Sequence, residues 1–134
     1  MNTKQLATMI LGSSLLAIAV SAIAHHAFSA EFDANKPLTM TGTVTKLEWQ
    51  NPHTWFYIDV KDANGTVSNW GLEMASPNLL MRNGWTRSSM KIGDVVTVEA
   101  FHAKDGSNHA NAKTVTLDAT GEKLFTGSSS GRSR

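Results

Sequence analysis

An all-β domain with one short helix is the fold class that this sequence predicts. Three observations predict it. Apolar and polar residues alternate with a period of two in five runs between Pro37 and Leu117. The period changes once, in SPNLLMRNG (76–84), between the third and fourth runs. Within the first run the alternation slips by one residue, which calls for a bulge and a bend.

The first run is LTMTGTVTKLEW (38–49). Leu38, Met40 and Val44 share one face, and Thr39, Thr41, Thr43 and Thr45 share the other. Leu47 and Trp49 continue the apolar face one residue out of step. A long strand bent near its middle can serve two sides of a barrel. The second run is TWFYIDVK (54–61), with Phe56, Ile58 and Val60 facing the core and Trp55, Tyr57 and Asp59 facing away. The turn DANG (62–65) ends in Asn-Gly, a hairpin signal because both residues tolerate positive φ. TVSNWGLEM (66–74) returns as the third strand, with Trp70, Leu72 and Met74 on one face.

Ser76 is then an N-cap, and Pro77 suits the first helical position, where its missing N–H costs nothing. The helix runs about two turns to Gly84, a C-capping residue type. KIGD (91–94) turns the chain into DVVTVEAFHA (94–103), the fourth strand. KDGSN (104–108) reads as another hairpin turn, and HANAKTVTL (109–117) is the fifth strand. Three strands, a helix and two strands is the order of an OB-like five-stranded Greek-key barrel. A small sandwich shares the strand count. The phase slip and the single helix favour the barrel. The domain is expected over 25–125, followed by a disordered polar tail, TGSSSGRSR (126–134).

Residues 1–24 have the form of a signal peptide. Lys4 gives a short positive region, 7–20 are mostly apolar, and Ala22 and Ala24 form an A-x-A cleavage site. The rival reading is a membrane anchor, for which the apolar run is interrupted and marginal. Export implies a periplasmic or secreted location with no stable membrane span after cleavage. The whole chain carries 12 basic and 11 acidic side chains, and cleavage removes only Lys4 of these. A balanced charge argues against nucleic acid as partner. The absence of cysteine excludes thiolate metal chemistry and disulfide staples. The expected partner is a metal ion or small molecule in the cell envelope.

The chemical signal lies in SAIAHHAFSA (21–30). Cleavage after Ala24 makes His25 the first residue, followed by His26. Its free amine and imidazole Nδ1 can chelate one ion, and such a nitrogen pair suits Cu(II) best among the first-row divalent ions. Cleavage after Ala22 would instead begin Ile23-Ala24-His25, a second square-planar Cu(II) pattern of amine, amides and imidazole. Histidines at a cleavage junction also arise by chance. His53, in WQNPHTW (49–55), sits beyond the Asn51-Pro52 turn at the mouth of the second strand and is the candidate third ligand. The bland reading of His53 is a surface turn histidine. His102 reads as a partly buried strand-end residue, and His109 as an exposed loop residue.

Trp55 and Tyr57 offer a different function, stacking of a sugar or base on the barrel face. The competing reading is that AFSAEF (27–32) or the tail covers them. Glu48, Glu73 and Glu99 read as solvated strand positions, and the methionines as gap fillers. No side-chain catalytic motif stands out, so a binding module is favoured over an enzyme. A copper-dependent redox enzyme is the enzymatic alternative.

As a set, HHAFSAEFD (25–33), GTVTKLEWQNPH (42–53), SPN (76–78), GW (84–85) and KIGDVVTVEAFHAKDGSNHANAKTVTL (91–117) resemble the DUF6152 family of small exported bacterial proteins. The resemblance covers nearly the whole chain after residue 24. It implies an envelope location and a single domain. It implies no activity or cofactor. The family pattern includes the His-His start and the NPH turn, matched here by His25, His26 and His53; His109 is not associated with it.

Overall fold

Each alternating run forms a strand in the computed structural model, which describes residues 28–127. The expected signal segment 1–24, His25, His26 and residues 128–134 lie outside these. The strands are β1 (Phe32–Glu48), β2 (Trp55–Lys61), β3 (Val67–Glu73), β4 (Val95–Ala103), β5 (His109–Leu117) and a short β6 (Lys123–Phe125). Helix α1 (Pro77–Arg82) stands between β3 and β4.

Sheet order is β3-β2-β1-β4-β5-β6, and β3 also pairs with β5 in parallel, through Gly71↔His109, Leu72↔Ala110 and Glu73↔Asn111. That pairing closes the ring and makes the domain an OB-fold. Closure also removes most of the free strand edge.

The phase slip in β1 is a bulge. Val44 pairs with Ile58 and Lys46 with Tyr57, so Thr45 is the extra residue. At the same point β1 serves both neighbours, since Thr43 faces Asp59 of β2 and Val95 of β4. Gly42 permits the close crossing: a Cβ there would stand 2.6 Å from the Asp59 carbonyl oxygen.

Inside the barrel, Val44, Phe56, Ile58, Leu72, Val96, Val98 and Val115 are fully buried. Burial of such side chains contributes about 1.5–3 kcal/mol each. Helix α1 starts as expected: Ser76 Oγ accepts from Leu79 N at 3.4 Å and Pro77 occupies the first turn. Asn83 is the C-cap, with Gly84 one residue later at positive φ. Leu80 and Trp85 then join the core.

Three features extend the expected plan. β1 starts at Phe32, before the first clear alternation. The short β6 pairs with β5 and brings in Leu124, which is buried. A helical turn at 28–31 precedes β1, so the described chain has two short helical pieces. The turn lies across the outside of β4: the Phe28 ring meets Phe101 edge-on at 5.9 Å, and Lys104 N donates to Glu31 O at 2.9 Å. No helix among the described residues is long and apolar enough to cross a membrane.

Candidate functional site

Strand register places polar residues on the outside of the barrel in one row. Trp55 faces Glu73 across β2–β3, Glu73 faces Asn111 across β3–β5, and Asn111 faces Phe101 across β5–β4. The next row holds Tyr57, Gly71 and His109. Gly71 has no room for a side chain, because a Cβ would stand 2.7 Å from the His109 ring.

His53 joins the first row through the backbone. Thr54 N donates to Ala75 O at 3.0 Å and Met74 N donates to Thr54 O at 2.8 Å. These bonds prolong the β2–β3 pairing past the strand ends and set His53 beside Glu73. The His53 Nδ1 to Glu73 Oε1 distance is 3.2 Å. The His53 side chain is 45% exposed and that of Glu73 only 10%. Behind them, Asn111 Nδ2 donates to Glu73 Oε1 at 3.3 Å. Asn111 is buried, and its Oδ1 has no hydrogen-bond partner among the described residues.

Glu73 was expected in solvent, and the structure overturns that. The alternation puts it outside the barrel, but the outside is covered here. Burial raises its pKa above the ordinary carboxylate value; His53 opposes the rise, the negative charge of Glu31 adds to it, and the Asn111 hydrogen bond opposes it.

These residues line a cleft of about 700 Å³. Phe28, Glu31, His53, Trp55, Glu73 and Asn111 are among the residues that line it. Two carboxylates and one imidazole line it, with no Lys or Arg among the described lining residues. The described lining of the cleft is therefore acidic. A second cleft of about 530 Å³ lies beyond Trp55, towards His109, Lys104 and Asp105. Trp55 lines both clefts, and its ring meets His109 edge-on at 5.9 Å.

The other sequence candidates separate. Tyr57 is half-buried under Lys46, whose Nζ lies 5.1 Å from the ring centre, and its hydroxyl donates to Glu48 Oε2 at 3.4 Å. His102 is half-buried at the end of β4, with Nε2 2.9 Å from Ser107 O. His109 is exposed but belongs to β5, with Nδ1 3.1 Å from Ser107 Oγ. Glu99 is half exposed, paired with Lys123 at 2.9 Å and bonded to Thr114. Among the described residues no three His, Cys, Asp or Glu side chains gather to hold a metal. His53 and Glu73 form an imidazole–carboxylate pair at the cleft.

A closed OB barrel with an acidic, histidine-bearing cleft on its outer face is the class that these features define. The chain belongs to the DUF6152 family, a family of unknown function, whose pattern matches residues 12–112. Similar solved structures include a mitochondrial single-stranded DNA binding protein from S. cerevisiae, Rim1, at 13% identity and a TM-score of 0.49, covering 65% of this chain and 94% of that one. Another is the dimeric N-terminal domain of PriB from Thermoanaerobacter tencongensis, at 18% identity and a TM-score of 0.45, covering 62% and 96%. No curated protein matches the chain.

Proposed function

We propose that the protein is an exported, periplasmic binding module that holds Cu(II) with the amine and imidazole of a mature N-terminal His25, assisted by His26 and His53. One observation carries this reading: Phe28 and His53 line the same cleft. Cleavage after Ala24 would leave His25 three residues before Phe28. Consecutive Cα atoms are about 3.8 Å apart, so the Cα of His25 stays within roughly 11 Å of that of Phe28. The new amine is therefore within covalent reach of the cleft that His53 borders. The acidic lining favours a cation over a phosphate, which weighs against nucleic acid as partner.

The test is a Cu(II) titration of signal-processed protein against the same domain carrying an extra leading Met. Tight one-to-one binding lost on blocking the amine supports the reading. Equal affinity in both forms overturns it. A redox activity of the bound copper would show as ascorbate-driven peroxide production.

A second reading rests on Trp55. Its side chain is half-buried and lines both clefts. A small sugar or peptide stacked there would quench tryptophan fluorescence, and Trp55→Ala would abolish the response. Tyr57 is less available for stacking, being engaged by Lys46 and Glu48.

A further inference from the structure

The second cleft, about 530 Å³ in volume, falls within the range of small-molecule sites, about 300–1,000 Å³. Glu31, Trp55, Lys104, Asp105, Ser107 and His109 are among the residues that line it. The last three form a hydrogen-bonded chain where β4 turns into β5. Ser107 Oγ donates to Asp105 Oδ1 at 2.6 Å and lies 3.1 Å from His109 Nδ1. Ser107 N also donates to Asp105 Oδ1, at 2.9 Å. The hydrogen bonds from the Ser107 side chain and backbone hold the Asp105 carboxyl below its usual range, so at neutral pH it only accepts.

Proton counting then fixes the state of the imidazole. A serine hydroxyl has one proton, and Ser107 gives it to Asp105. The contact with His109 must therefore use a proton on Nδ1, with Ser107 Oγ as the acceptor. In the neutral ring Nε2 is left as a bare acceptor, and it has no hydrogen-bond partner among the described residues. The ring is also seated. It lies against Gly71, where a Cβ would stand 2.7 Å from Cδ2 and 3.2 Å from Nε2. Trp55 meets the same ring edge-on at 5.9 Å, and its indole N–H likewise has no hydrogen-bond partner among the described residues. Two adjacent rings of the cleft lining thus carry one unused acceptor and one unused donor.

Two further observations choose the ligand class. The charged side chains described around this cleft are of both signs, Glu31 and Asp105 against Lys104. Asp105 is engaged by Ser107, and Lys104 Nζ donates to Ser29 O, so the lining favours no ionic ligand. A bound peptide gains most by adding a strand to a free sheet edge, whereas Gly71 and His109 face each other in the pairing that closes the barrel. A sugar needs no edge. Its C–H face packs on an aromatic ring, and each hydroxyl can donate to one group while accepting from another. We infer that the second cleft binds a neutral sugar, with a hydroxyl donating to His109 Nε2 and Trp55 supplying the ring on which the sugar packs. Asp105 and Ser107 are positioning residues that fix the His109 tautomer. The inference rests on the Trp55 reading for stacking and adds the acceptor and the ligand class.

The experiment has two arms, both on signal-processed protein. Long-range proton–nitrogen NMR reads the tautomer: His109 should carry its proton on Nδ1 in wild type, and Ser107→Ala should move it towards Nε2. Titrations with glucose, N-acetylglucosamine and trialanine are followed by tryptophan fluorescence and by amide NMR shifts. The sugars should bind and trialanine should not. His109→Phe keeps a flat ring beside Trp55 but has no acceptor, and should weaken the sugars by about two- to tenfold. Ser107→Ala should give a smaller loss, and Trp55→Ala should abolish binding; near-UV circular dichroism checks each fold. Sugar binding that needs Trp55 but is unchanged in His109→Phe would overturn the role of His109 and leave the Trp55 reading standing. A response to trialanine alone would overturn the sugar class and leave the same reading standing. A wild-type His109 protonated on Nε2 would overturn the positioning by Asp105 and Ser107. No response to any of the three probes would overturn both readings.

Discussion

Two glutamates on the outside of the same barrel meet opposite fates. Glu99, on β4, faces solvent beside Lys123 and Thr114, and these contacts hold its carboxyl below the usual range. Glu73, on β3, is covered by the cleft walls, and burial pushes its carboxyl above it. The first region is built to stabilise an ionised carboxylate. The second holds one against its burial, with His53 and Asn111 as its partners. A carboxylate that its own surroundings disfavour, in a cleft beside a histidine, is a candidate binding group.

The largest test strips away what both regions share. Leu72, the residue before Glu73 on β3, is fully buried in the core, and Leu72→Ala should destabilise the domain by about 2–5 kcal/mol in urea unfolding. A loss confined to the cleft, with global stability kept, would show that the barrel and the cleft are independent units. Next in size is Gly42→Ala. Its Cβ would press on the Asp59 carbonyl, which is backbone and cannot swing aside, so about 1–3 kcal/mol should be lost. Wild-type stability would mean that β1 and β2 separate more easily than their crossing suggests.

The comparison itself is sharpened by pH. Glu73 has a folded pKa above its unfolded value, so its favourable contribution is complete below the unfolded pKa, near ~4.3, and is lost as pH rises through the folded value. Metal-free Glu73→Gln escapes that loss. It should be more stable than wild type at neutral pH, by about 1 kcal/mol, with the advantage vanishing towards pH ~4. Glu99 has the opposite sign: its contribution is present above the unfolded pKa and lost as pH falls through the lowered folded value. Because this pair is half exposed, Glu99→Gln should cost less than about 1 kcal/mol at neutral pH and nothing in acid. Equal pH profiles for the two variants would erase the contrast between the regions.

Much of the fold is legible in the sequence because each strand carries its own alternation. The bulge at Thr45 is visible as the step from Val44 to Leu47, and the helix as Ser76-Pro77 followed by a changed period. β6 escapes because three residues cannot show a period, and a polar Gly/Ser stretch follows them. The beginning of β1 escapes because DANKP (33–37) is polar and irregular, with the register shifting between Phe32 and Pro37. The site is legible only in part. His53 is marked by its turn, but Glu73 lies on the polar phase of its strand, which by itself means solvent. Its surroundings come from β5, which pairs with it, and from the helical turn at 28–31, which lines the same cleft, both distant in sequence. Asn111 gives one faint signal, an amide between Ala110 and Ala112, where flanking side chains leave room for burial.

The central claim is that one cleft gathers His53 and the new amino terminus around copper. The most direct measurement is Cu(II) EPR on signal-processed protein, wild type and His53→Ala, with intact mass recorded on each sample. The account predicts one equivalent of copper in an axial, nitrogen-rich signal on a chain beginning at His25, with one imidazole fewer in the variant. A chain cut after Ala24 that shows only weak, aquo-like copper, or the same signal with and without His53, would contradict it.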